Sequence, residues 1–212
     1  MSMMTAYGKY RHLRNASWEC LLDCNITCLP VQVSSISSQL DIGLYKYSQN
    51  AELLRKKGLE YLMQAKGFAY MDPSGKLMIF FDDQQSRQQI RYTIAHELGH
   101  ILLGHVDSEN PQGLLLQPSD AKLERAADSF AIRILAPACI LHGLHITSAE
   151  EIGSVCDIPL NLARSRAKRM SALYKREEKL ISAGSPSCFL RSPREQKLYA
   201  EFQDFISSYE KI

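Results

Sequence analysis

The chain has 212 residues, 45% of them hydrophobic and 23% charged, with a net charge of +2. That length supports one substantial core, and so small a charge excludes a global field that would draw the chain to nucleic acid or acidic lipid. No run of about 18 apolar residues is present, so nothing is expected to span a membrane, and Met1 to Arg11 lacks a secretory signal pattern, so the expected location is the cytoplasm.

Taken in order, residues from about Tyr10 to Asn25 read as a helix with Leu13, Trp18, Leu21 and Leu22 as apolar positions, closed by Leu29-Pro30. A second helix is expected over Val31 to Leu40. A strand follows at Ile42 to Tyr47. Asn50 is then an expected N-cap for a third helix to Met63. The clearest hairpin is Gly67 to Met71, the turn Asp72-Pro73-Ser74-Gly75, and Lys76 to Phe81. Its second strand, Leu77 to Phe81, offers an expected edge for an extended substrate. Ser86 is placed to cap a helix to Gly104, buried through Ile90, Ile94, Leu98, Ile101 and Leu102. Val106 to Pro118 reads as a loop, and Ser119 to Leu135 as a helix. Two short helices are expected at 147–156 and 159–174, then a linker at 182–191. Ser192-Pro193-Arg194-Glu195 is a capping box opening an amphipathic tail helix with Leu198, Phe202, Phe205, Ile206 and Tyr209 on one stripe. The expected organisation is one domain over 1–181, with 147–175 a helical, helix-turn-helix-like subregion, then the linker and a C-terminal helix at 192–212.

Six cysteines are expected as free thiols. Cys20, Cys24 and Cys28 have a C-x3-C-x3-C spacing that lacks the C-x2-C pair usual in metal clusters. It reads instead as buried small residues on one helix.

The chemistry sits in Arg91-Tyr92-Thr93-Ile94-Ala95-His96-Glu97-Leu98-Gly99-His100. His96 and His100 are four apart and share a helix face. Two neutral imidazoles there can hold one zinc ion, with Glu97 as general base to its water. A third ligand has two candidates. The offsets at which a metzincin places its Gly and third His fall on Leu103 and Val106, so that pattern fails. On a continuing helix His105 lies about 180° round from His96, which sets it aside unless the helix has already ended. Glu124, heading a helix, completes a His2Glu set and leaves a fourth position open. Asp128, four residues on, is placed to accept the free N–H of His96 or His100. Ala126, Ala127 and Ala131 allow that helix close approach.

The runs RYTIAHELGHILLGH and ERAADSFAIRILAP, with WECLLDCNITCLPV and the hairpin, together resemble the ImmA/IrrE family of metallopeptidases over roughly residues 10–175. The resemblance implies an α+β chain with a mostly helical, minimal zincin-like, gluzincin-like fold and a small antiparallel β-sheet. It matches His96, His100 and Glu124 to the family's metal ligands and Glu97 to its catalytic glutamate. It further implies a cytoplasmic protein of a bacterium or a mobile genetic element, with a helix-turn-helix transcriptional repressor as substrate.

Two other readings are open. A non-catalytic zinc-containing module would hold a repressor without cutting it, but has no need of Glu97. A DNA-binding regulator would use 148–174 as a helix-turn-helix, with Arg164, Arg166, Lys168 and Arg169 on phosphates. His142, His145 and nearby tyrosines are candidates for a second oxyanion donor.

Overall fold

The structure, a computed structural model, describes residues 6–106 and 121–209. The expected loop at Val106 to Pro118, after its first residue, and the helix start at Ser119 lie outside the described residues. The chain forms two compact units, one of residues 33–131, the other of residues up to 32 together with those from 132. The fold class is α+β, mostly helical with one small sheet.

In the 33–131 unit, helix α2 covers Val33–Gln39. Strands β1 (Gly43–Lys46), β2 (Gly67–Met71) and β3 (Leu77–Phe81) follow. Their order is β1-β3-β2. β2 and β3 pair antiparallel from Gly67↔Phe81 to Met71↔Leu77, as the hairpin reading required. The Asp72 carboxylate ties the turn by accepting the N–H groups of Ser74 (2.9 Å) and Lys76 (3.0 Å). β1 joins parallel to β3, from Gly43↔Met78 to Lys46↔Phe81. The sheet is therefore mixed, not antiparallel throughout. Parallel neighbours need a crossover, and here it is α3 (Tyr47–Lys56) with a 3-10 turn at Glu60–Gln64. β3 is consequently the central strand, with both edges occupied. The expectation that it offers a free edge is wrong, because the outer strands are β1 and β2.

One sheet face, with Phe68, Met78 and Phe80, packs on Tyr47, Leu54, Leu59 and Leu62. Phe68 and Phe80 stack at 5.1 Å between ring centroids. Burying each such side chain stabilises the fold by about 1.5–3 kcal/mol. The opposite face, with Ala69, Ile79 and Phe81, carries helix α4 (Arg87–Leu102), whose first turn is capped by Ser86 accepting the Gln89 N–H at 3.2 Å.

α3 starts three residues before the expected Asn50 cap. Its first turn is closed from a distance: Asp83, just beyond β3, accepts the Ser48 N–H at 3.1 Å and its hydroxyl at 2.6 Å. Asn50 donates to the Lys46 carbonyl at 2.8 Å and lies inside the helix. A cap supplied 35 residues away leaves no local signature.

The second unit holds α1 (Ala6–Asp23), α6 (Ala138–Gly143), α7 (Ala149–Cys156), α8 (Leu160–Ser182), α9 (Pro193–Glu201) and α10 (Gln203–Tyr209), and the end of α5 (Ala121–Leu135), which crosses the boundary. α1 stops six residues short of Leu29-Pro30, because Asn25 turns the chain at φ 49°. Cys20 and Cys24 are buried, whereas Cys28 lies past the helix and is exposed. The tail is two helices broken at Phe202. Leu198, Phe202 and Ile206 are buried, and the Ser192/Glu195 capping box is formed. α7 and α8 are joined through Asp157, Ile158 and Pro159, with Asp157 left-handed at φ 50°. Arg166, one of four candidate phosphate contacts, is instead buried at 6% exposure. Burial holds its guanidinium down to about 10. Arg164, Lys168 and Arg169 are exposed.

The hydrogen bonds from Ser48 hold the Asp83 carboxyl below its ordinary range. A lowered folded value means that this contribution is present at neutral pH and is lost on acidification through the carboxylate range. Asp83→Ala is expected to speed amide exchange in the first turn of α3 at pH 7. The difference from the parent should vanish on acidification through that range.

Candidate metal centre

α4 carries Tyr92, His96 and His100 at four-residue spacing, hence on one face. α5 carries Glu124 and Asp128 at the same spacing. The two helices close on each other where Gly99 faces Ala127. A Cβ on Gly99 would stand 3.1 Å from both the Ala127 Cα and its carbonyl oxygen. Ala126, Ala127 and Ala131 are buried along the contact face. Small residues on both helices thus bring two carboxylates beside two imidazoles.

His96 Nε2 lies 3.0 Å from His100 Nε2. Glu124 presents Oε2 to His96 Nε2 at 3.3 Å and Oε1 to His100 Nε2 at 3.4 Å. Donor atoms around one tetrahedral zinc, with bonds of about 2.0–2.2 Å, stand roughly 3.3 Å apart. These three residues could hold a metal ion.

The donor chemistry fits as well. His96 Nδ1 faces Asp128 Oδ1 at 2.9 Å. An anion there assigns the proton to Nδ1 and leaves a lone pair on Nε2. On the other side, His100 Nδ1 meets His105 Nδ1 at 3.2 Å. A proton donated from His100 would leave its Nε2 with a lone pair too. Two lone pairs 3.0 Å apart beside a carboxylate call for positive charge between them. His96 responds to that demand: burial opposes its charged form, yet hydrogen bonding to Asp128 and Glu124 outweighs burial and lifts it to about 10. The imidazoles of His100 and His96 in turn hold Glu124 well below the usual carboxylate range.

Glu97 lies on the same helix but is buried at 8% exposure. Burial pushes its carboxyl up, partly offset by the nearby imidazoles and by a hydrogen bond from the Ala69 backbone. A raised, fixed carboxyl suits proton transfer near neutral pH. The side chains converge on an open cleft of about 270 Å³, bordered on one side by Lys66, Gly67 and Ala69 and on the other by Gln89, Tyr92 and Thr93 of α4. Hydrogen bonds from Asp82 N–H to Lys66 O and from Asp72 N–H to Lys76 O fix the ladder's phase. The N–H and C=O groups of Gly67, Ala69 and Met71 therefore point away from β3, on the open edge of β2.

All five candidate residues, His96, Glu97, His100, Glu124 and Asp128, line the cleft. His142 and His145 do not. His142 stacks on Phe189 at 4.1 Å, which gives it a packing role in the other unit. Sequence reasoning missed three groups. Tyr92 donates to Asp128 Oδ1 at 2.5 Å, and its i, i+4 spacing to His96 was a usable signal. His105 reaches His100 because α4 ends at Leu102 and Gly104, at φ 71°, reverses the chain, so the continuing-helix geometry does not apply. The Ala69 N–H left no signal, being backbone.

The H-E-x-x-H sequence of the chain thus lies on α4, facing the carboxylates of α5. The model of peptidase family M78, described as an IrrE N-terminal-like domain, matches residues 60–165, half of the chain. The chain belongs to that family. A search of curated proteins finds no match. Membership of a peptidase family implies a protein substrate. No helix among the described residues is long and apolar enough to cross a membrane.

The Gly99 contact sets the spacing of the donors. Gly99→Val is expected to force the helices apart and lower the unfolding free energy by about 1–3 kcal/mol, as overpacking does. Denaturant titration checks it, and a stability equal to the parent would show that the contact relaxes freely.

Proposed function

We propose that the protein is a zinc-dependent endopeptidase, with His96, His100 and Glu124 as the ligands of one zinc ion, Glu97 as general base and Asp128 orienting His96. The observation that carries this reading is the convergence of donor atoms from three residues, the two imidazole nitrogens 3.0 Å apart and each facing a different oxygen of Glu124 at 3.3–3.4 Å, beside a buried carboxylate in a cleft. Zinc bound there would supply Lewis acidity and an acidified water. Glu97 takes the proton from the attacking water and later delivers it to the leaving amine. Its hydrogen bond from the Ala69 N–H keeps the carboxylate aimed while the proton moves. The scissile peptide lies extended along the open edge of β2, where the outward N–H and C=O groups of Gly67 and Met71 and the carbonyl of Ala69 pair with its backbone. That mode explains how a small cleft handles a protein chain: backbone pairing supplies affinity without a deep pocket.

The substrate we propose is a helix-turn-helix transcriptional repressor, cut so that the genes it silences are switched on, in the cytoplasm of a bacterium or from a mobile element. The likeness of RYTIAHELGHILLGH and ERAADSFAIRILAP to the ImmA/IrrE metallopeptidases supports this. The intact Glu97 favours cleavage over mere sequestration of the repressor.

Glu97→Gln is expected to bind one equivalent of zinc and to lose cleavage of the cognate repressor by at least about 100-fold, the usual scale of acid–base catalysis. Mass spectrometry of the repressor after incubation reads this, and cleavage at the parental rate would remove Glu97 from the mechanism. Glu124→Ala should lose bound zinc on dialysis. Undiminished zinc by elemental analysis would remove Glu124 from the ligand set.

A further inference from the structure

One oxygen of Asp128 does two things. Oδ1 accepts the Tyr92 hydroxyl at 2.5 Å and stands 2.9 Å from His96 Nδ1. The Asp128 side chain is 53% exposed, so packing alone does not hold it in place. An exposed carboxylate on a helix samples several rotamers, and most of them would abandon His96.

We propose that Tyr92 is a positioning residue of the metal centre: its hydroxyl pins the Asp128 carboxylate, so that His96 keeps its proton on Nδ1 and presents Nε2 to the metal. This rests on the reading of His96 as a ligand. Two observations and one chemical argument support it. The Tyr92 ring borders the cleft, and its centroid is 6.1 Å from that of His96, so the hydroxyl reaches Asp128 from a wall that α4 itself fixes. Burial and the Asp128 charge both push the phenol up, so Tyr92 stays a donor. A neutral donor also leaves Asp128 its full negative charge, whereas a Lys or Arg there would compete with His96 for the carboxylate as an ion pair. Tyr92 acts through Asp128, and its phenol takes no proton from the substrate.

The test is Tyr92→Phe, which keeps the ring and removes only the hydroxyl. Zinc affinity, measured by competition with a chromophoric chelator, is expected to fall about 10- to 100-fold, the scale of losing such a supporting hydrogen bond. In the zinc-loaded protein, the Nδ1 proton of His96 should change from a slowly exchanging downfield NMR resonance to a broadened or absent one. Asp128→Asn should weaken zinc by a similar factor, and the double variant should be no weaker than the poorer single one, because the two groups act in series. Circular dichroism and thermal unfolding establish that each variant is folded. If Tyr92→Phe binds zinc as the parent does and keeps the His96 resonance, the proposal is overturned. Factors that multiply in the double variant also overturn it. His96→Ala separates the two ideas: if it binds zinc like the parent, the ligand assignment itself has failed. If it loses zinc while Tyr92→Phe does not, only the role of Tyr92 has.

Discussion

The close approach of α4 and α5 at Gly99 and Ala127 is the constraint on which the rest depends. A helix alone supplies two imidazoles four residues apart, and many helices carry such a pair without consequence. What turns the pair into a donor set is a carboxylate at the same height on a neighbour. Helix axes usually stand 8–10 Å apart according to the side chains between them. Glycine against alanine selects the short end of that range, where Glu124 reaches both Nε2 atoms and Asp128 reaches the far nitrogen of His96. The same helix rests its other side on β2, through the small residues Gly67 and Ala69. α4 is therefore clamped between a sheet face and a helix, with the proposed ligands and base toward the cleft beside them.

Electrostatics completes what packing begins. The cleft gathers Glu97, Glu124 and Asp128 around two imidazoles, and these carboxylates are placed in different surroundings. Glu124 is pulled down by the imidazoles it faces, Asp128 by His96, and Glu97 is pushed up by burial. Environment rather than residue type separates the proposed ligand, orienting group and base. His96 shows the same demand from the other side, because the carboxylates of Asp128 and Glu124 favour its charged form against burial.

Much of this was legible in the sequence wherever the cause is local. The turn residues Asp72 to Gly75 gave the hairpin, Ser86 gave the start of α4, and the four-residue spacings gave the shared faces of His96 with His100 and of Glu124 with Asp128. What was not legible is what comes from afar. Asp83 caps α3 from the end of the neighbouring strand β3, 35 residues on in sequence, so Asn50 looked like the better cap. The parallel seat of β1 beside β3 depends on a crossover that local propensity does not encode, so β3 read as an edge. Arg166 looked like a phosphate contact because its neighbours are basic, yet its own position on α8 faces inward.

His105 and Tyr92 sharpen the same point inside the site. Both proposed ligand histidines have a partner on Nδ1, the nitrogen that does not face Glu124, and neither partner follows from the H-E-x-x-H spacing. His105 arrives only because a left-handed glycine stops α4 one turn after His100. Tyr92 matters only because Asp128 comes from another helix. A motif names the atoms that could bind a metal, whereas their protonation and aim depend on groups the motif does not contain. For His96 that support ends in one half-exposed carboxylate oxygen shared with a phenol. Packing at Gly99 and Ala127 brings Asp128 to His96, and the Tyr92 hydroxyl adds a second hold on that one exposed carboxylate.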